Sequence, residues 1–147
     1  RLTQAILRGK RHNERIAVLF IDLDRFKWVN DTLGHDVGDS LLKEVTQRMQ
    51  HCLRSDDTIG RLGGDEFLAV LDPIDNDQSA AIVASKLANA VAAPVRIEDH
   101  TIEISCSIGV SFFPDDGHQS DVLVRAADTA MYAAKAAGKN CYRIATP

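Results

Sequence analysis

The stretch that most restricts the fold is Ile16-Ala17-Val18-Leu19-Phe20-Ile21, six consecutive apolar residues that end at Asp22. A strand wetted on one side alternates apolar and polar side chains. One that does not alternate must be covered on both faces, so this run predicts a central strand, Ile16 to Asp22, with helices above and below. The remaining chain supplies those covers. Leu2 to Lys10 reads as the end of a helix. Leu41, Leu42, Val45, Met49, Cys52 and Leu53 recur at helical spacing and predict an amphipathic helix over Asp39 to Leu53. Gln78 to Ala93, stopped by Pro94, and Asp121 to Ala137, stopped by Gly138, predict two more. Between Ile102 and Phe112 apolar residues alternate with Glu103, Ser105, Ser107, Gly109 and Ser111, the signature of a long half-buried strand. Cys141 to Ile144 reads as a short closing strand. With 147 residues, 45% of them hydrophobic, the chain holds material for one core and too little for two, so a single domain over 1–147 is expected.

Charge and cysteine usage exclude several classes. A net charge of -4 argues against a broad phosphate-backbone binder, so nucleic acid is not an expected partner, although a local basic site remains compatible with it. Cys52, Cys106 and Cys141 lie far apart without a Cys-x-x-Cys spacing, which fits reduced thiols in a cytosolic domain better than a disulfide framework or a zinc site. The longest apolar run is far shorter than the ~18 residues of a membrane span. A soluble, cytoplasmic segment without membrane contact of its own is expected, within a parent that a membrane could anchor.

Chemistry enters where turns carry more charge than turns need. In Thr58 to Val70, "TIGRLGGDEFLAV", two strand-like flanks surround Gly63-Gly64-Asp65-Glu66. The glycines suffice for a tight hairpin, and the two acids are surplus to it. The predicted central strand likewise ends in acids, in "FIDLDRFKWVND", Phe20 to Asp31. Asp22 and Asp24, one residue apart, are expected to point to opposite faces, so that only one of them reaches a shared site. A strand-end carboxylate and a hairpin carboxylate placed side by side by one sheet would make a hard-oxygen site for Mg²⁺, which takes one or two carboxylates plus substrate phosphates. The backbone carbonyl of Leu23 is a further candidate ligand. For Asp24 the favoured reading is a cap on the helix near Arg25 to Asn30, while Asp22 either merely ends the strand or is the metal ligand.

The blocks "DLDRFKWVND", "GHDVGDSLL", "RSDDTIGRLGGDEF", "SIGVSFFPDDG" and "ADTAMYAAKAAGKN" follow one another across nearly the whole chain. In order and spacing they resemble the GGDEF family, the diguanylate cyclase domains that join two GTP molecules into cyclic di-GMP. The resemblance implies a mixed α/β (α+β) fold, a polymerase/cyclase-like palm: a central, mainly antiparallel sheet flanked by helices, with the active hairpin at one edge. It implies that Gly63 and Gly64 leave room for the nucleotide and that Asp65 binds metal and helps deprotonate the attacking hydroxyl. Asp22 and the Leu23 carbonyl complete the implied ligand set for two Mg²⁺ or Mn²⁺ ions per active-site half. Glu66 belongs to the motif as a catalytic or an orienting acid.

The same resemblance assigns the substrate contacts. Asp39, with Asn30 as companion amide, matches the acid that reads guanine; from position alone Asp39 would be a helix N-cap. Phosphates are expected at the backbone amides of Phe26 and Lys27 and at the Lys135 side chain. Many family members carry an arginine four residues after that lysine, where this chain has Lys139, which keeps the charge and loses the bidentate fork. Arg54 and Asp57 sit at the spacing of the family's product-inhibition site, although an Arg-x-x-Asp by itself is usually a surface salt bridge. His35 reads as a packing or hydrogen-bonding residue, and the other histidines show no ligand spacing.

The chain starts at Arg1-Leu2-Thr3, just past the Asp-x-Leu-Thr-Gly-Leu-x-Asn-Arg-like segment that commonly opens such domains, so it reads as excised. Its other end, "GKNCYRIATP", resembles the junction to a following EAL phosphodiesterase domain. The implied activity is a diguanylate cyclase working as two face-to-face copies. One alternative is a GTP-binding regulatory domain that controls a tethered phosphodiesterase without making product. A nucleic-acid polymerase palm is disfavoured by the acidic charge and by the want of a template channel.

Overall fold

The structure is a computed structural model and describes residues 1–146. In chain order its elements are α1 (Leu2–His12), β1 (Arg15–Asp24), α2 (Phe26–Leu33), α3 (His35–His51), β2 (Thr58–Gly63), β3 (Glu66–Ile74), α4 (Asp77–Ala92), β4 (Val95–Ile97), β5 (His100–Ile102), β6 (Ser105–Phe113), α5 (Ser120–Ala136) and β7 (Cys141–Ile144). The apolar run forms the middle of a five-stranded sheet ordered β2-β3-β1-β6-β7. All neighbours are antiparallel except β6 and β7. Strands β4 and β5 pair separately as a small hairpin.

Strand parity divides the core in two. Ala17, Leu19, Ile21 and Leu23 of β1 join Phe67, Ala69 and Leu71 of β3 and the apolar side of β6 under α2, α3 and α4. Ile16, Val18 and Phe20 face the other way and pack on α1 and α5 through Ile6, Leu123, Ala127 and Met131. Gly109 of β6 sets how closely α5 can lie. A Cβ there would stand 1.8 Å from the Ala127 carbonyl oxygen and 2.3 Å from the Met131 nitrogen, so any side chain would lift the helix off the sheet.

Three expectations need correction. The strand foreseen from Ile102 to Phe112 is interrupted at Glu103 and Ile104, so Ile102 belongs to β5 and only Ser105–Phe113 to β6. That strand is buried on both faces because α5 covers the side bearing Ser107, Gly109 and Ser111. Small residues there mark close approach and not solvent, and the buried Ser111 hydroxyl donates to the Leu123 carbonyl at 2.7 Å. Helix α3 begins at His35, four residues before Asp39, because Gly34 (φ +95°) breaks it from α2, and buried Val37, four residues before Leu41, carries the apolar stripe into its first turn. Helices α1, α4 and α5 match their expected spans to within two residues at each end, while α2 runs on to Leu33, three residues past the expected Asn30. Arg48 of α3 reaches across to the end of α4, donating to the carbonyls of Ala90 (3.1 Å), Ala93 (2.7 Å) and Pro94 (3.0 Å), where a cation complements the helix dipole. No helix of the described residues is long and apolar enough to cross a membrane.

Candidate active site

Strand β1 carries its two acids on one face, not on opposite faces. Residues i and i+2 of a strand point the same way, and β1 stays regular through Asp24. Both acids continue the row of Ile16, Val18 and Phe20, on the side of α5. Lys135, one turn beyond Met131 on that helix, places its ammonium 3.5 Å from Asp22 Oδ2 and 3.1 Å from Asp24 Oδ1.

The two acids are treated differently. Asp24 is saturated: it accepts from Ser105 Oγ at 2.6 Å, Ser107 Oγ at 2.8 Å, Lys135 Nζ at 3.1 Å and the Asn140 backbone N–H at 3.2 Å. Burial pushes its pKa up, but these donors outweigh burial and hold it below the usual carboxylate range. Asp24 is therefore a structural anchor and not the helix cap expected of it. The N-cap position of α2 is Arg25, in the left-handed region (φ +69°) with no side-chain capping bond, and its guanidinium lies over the Trp28 ring at 4.9 Å. The bonds to Ser105, Ser107 and Asn140 were not foreseen. The Ser-Cys-Ser alternation of β6 was the available signal; the donation from Asn140, set by left-handed Lys139 and Asn140, had none.

Asp22, by contrast, has a buried Oδ1 with no hydrogen-bond partner among the described residues. Burial, together with the nearby charge of Asp65, raises its pKa to about 6 against the opposing pull of Lys135. The sheet creates this encounter. Asp22 pairs with Glu66 across β1 and β3, Gly63 pairs with Glu66 across β2 and β3, and Gly64-Asp65 forms the two-residue turn. Gly64 supplies the positive φ (+52°) at its first central position, the Arg61 guanidinium donates to the Gly64 carbonyl at 2.8 Å, and the Leu23 N–H donates to the Asp65 carbonyl at 3.0 Å. A Cβ on Gly63 or Gly64 would meet nothing within 4 Å, so the turn opens onto free space.

The donor set fits a divalent cation of the Mg²⁺ type. An orphaned carboxylate oxygen beside a second carboxylate is a site short of positive charge, and Mg²⁺ is held by one or two carboxylates with substrate oxygens. No group of three or more His, Cys, Asp or Glu side chains able to hold a metal occurs among the described residues, so the side chains available here for a cation are this carboxylate pair.

The base-reading candidates lie on α2 and α3. Asp39 is the fifth residue of α3 and exposed, which removes the N-cap reading; Asn30 is half-buried against the start of α3. Along α3 beyond Asp39, a cavity of about 440 Å³ is lined by residues including Leu42, Lys43, Thr46, Arg61 and Phe67. Phe26 is buried, while Lys27 and Lys139 are exposed. At the far end of β2, Arg54 and Asp57 bond each other. Arg54 Nη2 donates to Asp57 Oδ1 at 3.1 Å, and the Arg54 backbone N–H to Oδ2 at 2.9 Å. The Asp57 side chain is 1% exposed and that of Arg54 61%, so a ligand arriving here meets the arginine first. All three cysteines are free thiols.

Against known proteins, the sequence profile described as "Diguanylate cyclase, GGDEF domain" matches residues 1–141. The chain belongs to the GGDEF family. It is 46% identical over 142 residues, 97% of its length, to the bifunctional diguanylate cyclase/cyclic di-GMP phosphodiesterase MucR of Pseudomonas aeruginosa, of which it spans 21%. It is 38% identical to the GGDEF domain of YfiN (TpbB) of Pseudomonas aeruginosa, whose crystal structure superposes with a TM-score of 0.97 over 100% of this chain and 92% of that one. The active GGEEF domain of a diguanylate cyclase from Vibrio cholerae is 30% identical, with a TM-score of 0.90 over 98% and 91% of the two chains. The mixed α/β fold with a mostly antiparallel sheet is therefore that of GGDEF cyclase structures.

The incompletely compensated acid sets a pH-dependent expectation. The Asp22 pKa, raised from 3.8 to about 6, means that the folded state disfavours the charged form. The resulting cost is absent below pH ~4, grows between ~4 and ~6 and is complete above that. In EDTA, Asp22→Asn should raise the melting temperature at pH 7.5 by roughly 3 °C or more, with the gain vanishing as the pH falls towards 4. A pH-independent effect, or a loss at pH 7.5, would show that Asp22 is not held against its own charge.

Proposed function

We propose that this GGDEF domain is a diguanylate cyclase domain, joining two GTP molecules into cyclic di-GMP. A ribose 3′-hydroxyl of each nucleotide attacks the α-phosphorus of the other. Each new P–O bond replaces the bond to the β-phosphate oxygen, and two pyrophosphates leave. The observation that carries this reading is the meeting of Asp22 and Asp65 at the open turn, with one buried Asp22 oxygen left without a partner.

The roles follow from chemistry. Asp22, Asp65 and the Leu23 carbonyl are the proposed ligands of two divalent cations, Mg²⁺ or Mn²⁺, which when bound neutralise the triphosphate and polarise the α-phosphate. Asp65, half-exposed at the turn, takes the proton of the attacking hydroxyl, and Glu66, opposite Asp22 in register, supports it. The first-turn amides of α2 at Phe26 and Lys27 receive phosphate oxygens, as the free N–H groups of an uncapped helix start can. Lys135 and Lys139 complete the positive surroundings, the latter as a point charge without a fork. Gly63 and Gly64 leave space for the nucleotide. Asn30 and Asp39 take the guanine edge, whose N1–H and N2–H donors a carboxylate accepts as a pair.

Incubation with GTP and Mg²⁺ followed by nucleotide analysis tests the reading. Cyclic di-GMP is the expected product, whereas bound but unreacted GTP would assign the chain to the regulatory alternative. Asp65→Asn should lower turnover on the order of a thousandfold with the fold intact. Unchanged turnover in the folded variant would remove Asp65 from the chemistry.

One chain holds one metal pair and one base reader, hence half of a symmetric reaction. A second copy is the proposed partner, and activity should rise more steeply than linearly with protein concentration wherever sedimentation shows a monomer. Linear activity over that range would rule out the two-chain mechanism.

Arg54 and Asp57 are the proposed inhibitory site for the product. They precede β2, at the opposite end of that strand from the catalytic turn. Arg54→Ala should relieve inhibition by added cyclic di-GMP while leaving GTP affinity unchanged, and undiminished inhibition in this variant would return the pair to a local ion pair.

A further inference from the structure

Of the nine glycines, five have positive φ and serve turns or helix ends. Gly38 is not one of them. It lies in the first turns of α3, buried and with helical backbone, where glycine is the poorer helix former and nothing in the backbone calls for it. What calls for it is a side chain. A Cβ at Gly38 would stand 1.8 Å from Asn30 Oδ1, 2.9 Å from Asn30 Cγ and 3.7 Å from Asn30 Nδ2. The Asn30 carboxamide thus occupies the volume that any other residue at position 38 would fill. Position 38 is also the immediate neighbour of Asp39, so the missing methyl brings the Asn30 amide to the helical turn that carries the carboxylate.

We propose that Gly38 is a positioning residue for base recognition: it lets the Asn30 carboxamide seat against α3 beside Asp39, so that amide and carboxylate form one pre-set reader of the guanine edge. The proposal rests on the reading of Asn30 and Asp39 as the base-recognition pair. It differs from a packing role such as that of Gly109, whose hypothetical Cβ meets backbone atoms of α5 that cannot move without moving the helix. The hypothetical Cβ of Gly38 meets the end of one side chain, which can rotate away. Gly38→Ala should therefore fold normally, and even gain helix stability, while driving Asn30 out of its seat. The reader loses its geometry and the fold does not.

The test is a double-mutant cycle on Gly38→Ala and Asn30→Ala, with Asp39→Ala as a reference. The α,β-methylene analogue of GTP, which cannot release pyrophosphate, is the probe, and the corresponding ATP analogue is the competitor. Binding is read by calorimetry and by fluorescence of Trp28, the only tryptophan of the chain and a member of the same helix as Asn30. Gly38→Ala is expected to weaken the guanine analogue on the order of tenfold or more and to narrow its advantage over the adenine analogue, with a melting temperature equal to or above that of the parent. In the Asn30→Ala background the same substitution should have no further effect on affinity, since the atom it displaces is gone. Equal weakening in both backgrounds, unchanged affinity in the Gly38→Ala protein, or a melting temperature lowered by Gly38→Ala in both backgrounds would overturn the proposal. If Asn30→Ala and Asp39→Ala themselves bind the guanine analogue like the parent, the base-reader assignment falls and takes this proposal with it. If they bind weakly while Gly38→Ala does not, the positioning proposal alone falls.

Discussion

Strand β1 ends in two carboxylates on one face, both largely out of water, and the ammonium of Lys135 is shared between them. Carboxylates so placed are costly unless opposite charge and hydrogen bonds compensate them. The compensation depends on a helix arriving at the right height over the sheet. Gly109 permits α5 to lie with its backbone almost on β6, Met131 then sits over the sheet, and Lys135, four residues on, reaches the acids. Remove that close approach and the lysine is carried away from both. The core packing on this face and the electrostatics of the site are thus one problem.

The compensation is uneven, and the unevenness separates structure from chemistry. Asp24 collects four donors from three elements and ties β1 to β6 and to the loop after α5. Asp22, two residues earlier, shares only the lysine, faces Asp65 and keeps one buried oxygen without a partner. A stable fold had the means to satisfy it, since Ser107 pairs with Asp22 in register yet gives its hydroxyl to Asp24. On the reading proposed above, the acid left short of positive charge is the one that would bind the cation, and its saturated neighbour is the one that holds the sheet together.

Much of this could be read from the chain, and the limits follow from what periodicity encodes. The unbroken apolar run placed β1 at the centre, and the glycines between two strand-like flanks located the hairpin that brings Asp65 to Asp22. The period-two signal from Ile102 to Phe112 found the strand but neither its break at Glu103 and Ile104 nor its burial, because serine and glycine read as wet whether water or a close-packed helix lies over them. Taking the apolar stripe from Leu41 on starts helix α3 four residues late, although Val37, four residues earlier and buried in the core, extends that stripe into the first turn. That offset mattered for function: a late start makes Asp39 a cap, whereas the observed start puts it on an exposed turn inside the helix. The opposite-face expectation for Asp22 and Asp24 failed for a simpler reason, that residues two apart in a strand share a face. The αL pair Lys139-Asn140, which aims a backbone N–H at Asp24, was not visible at all, because nothing in Gly-Lys-Asn specifies which residue takes the strained conformation.

The acids and glycines of the site lie where the sheet runs out. Glu66 closes the turn opposite Asp22, Asp65 is half-exposed, Asp39 is exposed on α3, and around Gly63 and Gly64 a side chain would find open space. The turn itself is open among the described residues: α2, α3 and α4 lie under one face of the sheet, α1 and α5 under the other, and β2 is an edge strand. A reaction that moves charge between phosphates gains most from its electrostatic partners when water is excluded. On the reading proposed above, the exclusion has to come from outside the chain. A second copy carrying its own nucleotide supplies both the missing 3′-hydroxyl and the missing wall. The openness that makes one domain a poor enclosure for the reaction is then what allows two to close on each other.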